Sequence, residues 1–96
     1  MLLGDNIFLM KIQLKLYASS KFLSNSDILK VELPQNSTIG DLRDTLSKII
    51  SEKNLNNIKN LPETSAFFGE SNEVIYDNYK LKDKEIISII PPIGGG

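Results

Sequence analysis

From Met10 to Leu16 the chain alternates without a break: Met10, Ile12, Leu14 and Leu16 are apolar, with Lys11, Gln13 and Lys15 between them. Successive strand side chains point to opposite faces, so a sustained period of two specifies a strand with one buried face and one wet face. Leu29, Val31 and Leu33 repeat the pattern with Lys30 and Glu32 opposite, until Pro34 stops it. Ser19-Ser20 and Ser24-Asn25-Ser26 bracket the loop between the two runs, which read together as an antiparallel hairpin. A sheet apolar on one side requires a cover, and the rest of the chain has to supply it.

The cover follows at once. Thr38-Ile39-Gly40-Asp41 has the form of a capping box, with Asp in the third helical position where Glu is usual. Ile39, Leu42, Leu46, Ile49 and Ile50 fall on one stripe at helical spacing, and Asp41, Arg43, Asp44 and Lys48 lie off it. Asn54 suits a left-handed stop. Residues 55–62 read as a loop or a short extra turn. Ala66-Phe67-Phe68 and Val74-Ile75-Tyr76 are short strand candidates across the turn-like Gly69-Glu70-Ser71-Asn72, and Ile86 to Ile90 forms a last strand closed by Pro91-Pro92. Phe67 and Phe68 are adjacent, so a strand sends one of them into the core and the other outward. One helix and several short strands predict an α+β fold in which the helix lies across one face of a mixed sheet.

Composition narrows the function. Ninety-six residues make one domain, and eleven basic against twelve acidic side chains leave a formal charge of −1. That balance argues against nucleic acid or an anionic membrane surface as partner. The chain has no Cys and no His. Disulfides, thiolate metal sites and a cysteine nucleophile are excluded, and the commonest general base and metal ligand are missing. A non-catalytic role is expected, with no metal and no cofactor bound by the chain. Residues 1–9 lack a basic start and a cleavage site, and Asp5 and Asn6 interrupt their apolar run, so they read as an extension or an upstream start choice and the cytoplasm is the expected location. No stretch approaches the ~20 apolar residues of a membrane span. The expected organisation is an extension over 1–9, a domain over 10–90 and an extended tail over 91–96.

The tail is the informative segment: Pro91-Pro92-Ile93-Gly94-Gly95-Gly96. Two prolines fix φ, cannot continue a sheet ladder and push Ile90 into an extended conformation, so they end the strand and launch the chain stiffly outward. Six residues at ~3.3 Å each reach about 20 Å at most. Glycines carry no Cβ and can enter a channel too narrow for any other residue. A floppy end or an expression scar is the bland alternative. With Gly near 7% of residues, three terminal glycines arise by chance about 0.03% of the time, and scars rarely follow a strand closed by Pro-Pro. A terminal carboxylate is ionised and a poor electrophile, and reacts only when activated, most simply as an acyl adenylate made from ATP. A partner enzyme would supply that catalysis.

Leu81-Lys82-Asp83-Lys84-Glu85-Ile86-Ile87-Ser88-Ile89-Ile90, continued by the tail, resembles the end of the small subunit of molybdopterin synthase, a family of ubiquitin-like β-grasp sulfur carriers. That family ends in a similar strand, Pro-Pro, an aliphatic residue, a variable residue and Gly-Gly. Lys15-Leu16-Tyr17-Ala18 resembles the end of its first strand, and Thr38-Ile39-Gly40-Asp41-Leu42 the start of its helix. The resemblance runs from Met10 to Gly96 and departs at Asp83-Lys84, where the family usually has Asp-Gly. It implies that a ubiquitin-activating-type enzyme uses ATP to adenylate Gly96 and that a sulfur donor protein converts it to a thiocarboxylate. Pro91, Pro92, Ile93, Gly94 and Gly95 would then thread into the large synthase subunit, where the sulfur is used for the dithiolene of molybdopterin. A protein modifier conjugated through Gly96, a carrier for thiamine or tRNA thiolation, and a plain interaction domain are the other readings.

The alternation also places a docking face. Ile87 and Ile89 belong with the buried face of the first strand, which leaves Ile90 and Tyr17 on the uncovered face near the tail. Family resemblance adds Val74. These three residues are the expected partner-binding patch, unless the extension or the 55–62 loop covers them.

Overall fold

The computed structural model describes residues 9–92. Its elements run β1 (Leu9–Leu16), β2 (Ile28–Pro34), α1 (Ile39–Glu52), a single helical turn α2 (Leu61–Thr64), β3 (Ala66–Phe68), β4 (Val74–Ile75) and β5 (Ile86–Ile90). Tight helical turns at Ala18–Leu23 and Asn56–Ile58 fill two of the connections. Residues 1–8 and the tail residues Ile93, Gly94, Gly95 and Gly96 lie outside the described residues. The first strand already includes Leu9, which pairs with Pro34, so the domain takes in one residue that the sequence assigned to the extension.

The strands form one mixed sheet in the order β2-β1-β5-β3-β4. β1 and β2 form the expected antiparallel hairpin, and β1 and β5 are parallel, Gln13 opposite Ile86 and Leu16 opposite Ile89. β3 is antiparallel to both β5 and β4. Parallel neighbours need a long crossover, and the helix provides it. Met10, Ile12, Leu14 and Leu16 are all buried, as are Val31, Leu33, Ile87 and Ile89, and α1 packs on them through Ile39, Leu42, Leu46 and Ile50. Ile49, on the edge of the same stripe, is only partly buried. Phe67 is the fully buried member of its pair, which puts Phe68 on the other face.

Both ends of α1 follow the local chemistry of the sequence. Thr38 Oγ1 accepts the Asp41 N–H at 3.2 Å and Asp41 Oδ2 accepts the Thr38 N–H at 2.8 Å, a reciprocal capping box. At the other end Asn54 takes φ 56, and Leu55 N–H donates back to the Ile50 carbonyl at 3.0 Å, which satisfies a carbonyl the helix leaves free. Segment 55–62 is more ordered than a loop. Its turn at Asn56–Ile58 buries Ile58, and Pro62, placed early in α2 where its missing N–H costs nothing, is buried with Leu61. No helix among the described residues is long and apolar enough to cross a membrane.

Candidate functional site

β5 is the centre of the sheet and runs directly into the tail. Ile87 and Ile89 point to the helix and are fully buried, whereas Ile86, Ser88 and Ile90 are half-buried on the opposite, helix-free face. The registers place neighbours around them. Lys15, Ser88, Phe68 and Val74 form one row across β1, β5, β3 and β4, and Ala66 lies beside Ile90. Tyr17 follows immediately after β1, one step beyond the Leu16–Ile89 pair, and so stands beside Ile90.

Tyr17 is held by its backbone rather than by its ring. Ser20, fully buried, donates its hydroxyl to the Tyr17 carbonyl at 2.6 Å, and the same Oγ accepts the Tyr17 N–H at 2.7 Å. Ala18 turns the chain at φ 53, a left-handed conformation that a small side chain tolerates better than a bulky one. Tyr17 remains 44% exposed. Tyr17 and Ile90 line one shallow groove together with Phe68, Asn72 and Ser88. Val74, 45% exposed, does not line it but stands next to Phe68 as its cross-strand partner. The structure therefore brings Tyr17 and Ile90 together, with Val74 one strand further along. Segment 55–62 does not cover the patch. It contributes instead to a second, polar cleft, where Asn56, Asn57, Asn60, Ser19 and Thr64 surround Pro91 and Pro92.

The sequence reads Pro91 as the first tail residue; in the fold it is buried at the end of β5, and exposure begins at Pro92. A proline can occupy this place because its missing N–H costs nothing where the β5 ladder has ended. The rigid root of the tail is thus part of the domain. Sequence reasoning left Phe68 undecided and missed Asn72. The pairing register, rather than local alternation, assigns Phe68 to the open face, and the left-handed φ of 65 at Asn72 closes the turn that presents it.

Among the described residues no group of His, Cys, Asp or Glu side chains could hold a metal ion. The apolar rings and Ile90 form a half-exposed patch at the foot of the tail, suited to bury against a partner.

No protein-family model matches the sequence, and no curated protein matches it significantly. Solved structures do match. A Pyrococcus furiosus protein provisionally assigned as molybdopterin converting factor, subunit 1, superposes with a TM-score of 0.68 at 18% identity, over 88% of this chain and 99% of that one. Caldiarchaeum subterraneum ubiquitin superposes with a TM-score of 0.59 at 20% identity, over 93% of this chain and 100% of that one. SAMP1 from Haloferax volcanii matches at 17% identity with a TM-score of 0.59, over 90% and 99% of the two chains. At these identities the shared property is the fold: the chain is a ubiquitin-like β-grasp domain of the α+β class.

Proposed function

We propose that the chain is a sulfur carrier whose last residue, Gly96, is charged and discharged by partner enzymes. A ubiquitin-activating-type enzyme joins the Gly96 carboxylate to the α-phosphate of ATP with loss of pyrophosphate. Sulfide delivered by a sulfur donor protein then attacks the acyl carbon, AMP leaves, and a thiocarboxylate remains. In the large subunit of molybdopterin synthase that sulfur is transferred to the pterin precursor as part of the dithiolene, and water restores the carboxylate. ATP belongs to the activating enzyme, and this chain contributes a body to be recognised and a carbonyl to be loaded.

The observation that carries the reading is the placement of the tail root. The central strand ends at Ile90, which lines the apolar groove with Tyr17 and Phe68, and the next residue, Pro91, is buried on the other side of the chain, in the cleft with Asn56 and Asn60. A partner that grips this face meets the chain at a fixed root, Ile90 to Pro92. The similarity to a molybdopterin converting factor subunit supports the dithiolene route. The test is intact-mass analysis after incubation with ATP, the activating enzyme and a sulfur source. The expected product carries an oxygen-to-sulfur mass gain located at Gly96. An unmodified chain in the presence of an active enzyme refutes the proposal, as does a natural product that continues beyond Gly96.

A second reading is supported by the similarity to a ubiquitin: the same activated Gly96 forms an isopeptide bond with a lysine of a target protein. Denaturing gels of cell extract separate the two. Stable high-mass adducts indicate a modifier, and a free chain with a labile C-terminal sulfur indicates a carrier.

A further inference from the structure

We propose that Arg43 is a positioning residue for the docking face, acting through the β3–β4 hairpin; the inference deepens the carrier reading and rests on it. Arg43 lies off the apolar stripe of α1, where a long cation ordinarily faces water. Its side chain is only 21% exposed. Nη1 donates to the carbonyl oxygens of Pro62 at 2.6 Å and Ser65 at 2.8 Å, and Nε donates to Asp77 Oδ1 at 2.8 Å. The guanidinium carbon stands 4.7 Å from the centre of the Phe67 ring, within cation–π range. Pro62 and Ser65 lead into β3, and Asp77 follows β4. One planar fork therefore holds the chain where it enters the hairpin and where it leaves, and packs on the buried ring between. Lysine has no equivalent, since a single ammonium cannot present two fixed directions.

The hairpin needs such a clamp. β3 has three residues and β4 two, and β4 is an edge strand with one neighbour. Pairing that short is marginal without further support. The residues it displays on the open face are Phe68 and its partner Val74. The backbone of Asp77 is also fastened, through its carbonyl and the Gly40 N–H at 3.0 Å. What Arg43 adds is the tie from that point to the start of β3. The Phe68–Val74 pair that a partner would grip is thus set by a helix residue on the other side of the sheet.

The experiment measures activation kinetics and backbone amide exchange on the full chain. Arg43→Lys is expected to raise the KM of the activating enzyme for the carrier about tenfold while leaving kcat within about twofold, in the range for residues that act without touching the ligand. Amide exchange at Gly69 and Asn72, in the turn between β3 and β4, accelerates, while exchange in β1 and β2 does not. Asp77→Asn keeps the oxygen acceptor and retains a KM near wild type, and Asp77→Ala does not. In a Phe68→Ala/Val74→Ala background Arg43→Lys adds nothing to KM, because the groups it positions are gone. Unchanged KM, uniform acceleration of exchange, or full additivity in that background each overturns the inference. If the wild-type chain is never activated, the carrier reading fails instead, and the contrast in amide exchange still decides whether Arg43 fixes the hairpin.

Discussion

Lys84 donates its backbone N–H to the carbonyl of Lys11 at 2.8 Å, while Asp83 Oδ1 accepts the Lys11 N–H at 2.8 Å. This two-way clasp ties the turn before β5 to β1, and it holds Lys84 at φ 66. The left-handed region costs a residue with a Cβ about 1–2 kcal/mol. Glycine, the residue usual here in the family that the sequence resembles, would remove that strain and add about 0.5–1 kcal/mol of unfolded-state entropy. Lys84→Gly is therefore expected to stabilise the domain by about 0.5–1 kcal/mol and to raise Tm by roughly 4 °C. A thermal melt that shows no gain means that the clasp already offsets the strain.

Ser65 carries the opposite kind of flaw. Its backbone is fully used, the N–H donating to Leu61 and the carbonyl accepting from Arg43, yet its buried hydroxyl has no partner among the described residues. An unmatched buried polar group loses its water and gains nothing in return. Ser65→Ala is expected to stabilise the fold by about 1 kcal/mol, read as a higher urea midpoint with an unchanged m-value. A lower midpoint would show that the hydroxyl does find a partner.

Tyr79 gives the fold a pH dependence at the alkaline end. Its hydroxyl donates to Glu85 Oε2 at 2.6 Å, and Glu85 Oε1 accepts the Lys82 N–H at 2.8 Å. The hydrogen bond to Glu85, reinforced by burial, raises the phenol above its ordinary pKa of 10.0, and the nearby Lys82 opposes the shift. The neutral phenol is the form that the folded state favours. Its contribution is complete below pH 10 and is lost as pH climbs through the raised folded value. Tyr79→Phe is expected to melt below wild type near neutral pH, with the gap narrowing as pH rises above 10 and through the raised folded value. A gap that is constant across that range would assign the loss to packing alone.

The parts of this molecule legible in the sequence are those governed by short-range rules. The alternation in β1 and β2, the capping box at Thr38 and Asp41, the left-handed Asn54 and the inward pair Ile87 and Ile89 all lie where local chemistry predicts. The site divides along the same line. The open-face positions of Tyr17 and Ile90 follow from the period of β1 and β5, whereas that of Phe68 follows only from the burial of Phe67 and its pairing with Ser88 and Val74. Arg43 was the least visible. On a helical wheel it is one more charged residue off the stripe, and its partners lie 19, 22 and 34 positions away. Buried Pro91 is a similar case, since two prolines in sequence announce the end of a strand without saying which of them the domain keeps. Sequence separation of that kind carries no periodic signal.

Ile89 and Val74 test whether the two faces of the sheet have separate jobs. Ile89 is fully buried, and Ile89→Ala leaves a cavity in the centre of the core that is expected to cost about 3 kcal/mol. Activation kinetics measured well below the lowered Tm should then show a KM close to wild type, because the folded fraction still displays the same open face. Val74 is 45% exposed on the edge strand, so Val74→Ser should change stability by no more than about 0.5 kcal/mol. If the open face is where the activating enzyme grips, this mild change raises KM by about tenfold, the effect of truncating an interface residue that matters. The two variants thus move opposite quantities. A Val74→Ser chain that is activated as readily as wild type would take the docking surface away from β4 and confine it to the groove between Tyr17 and Ile90.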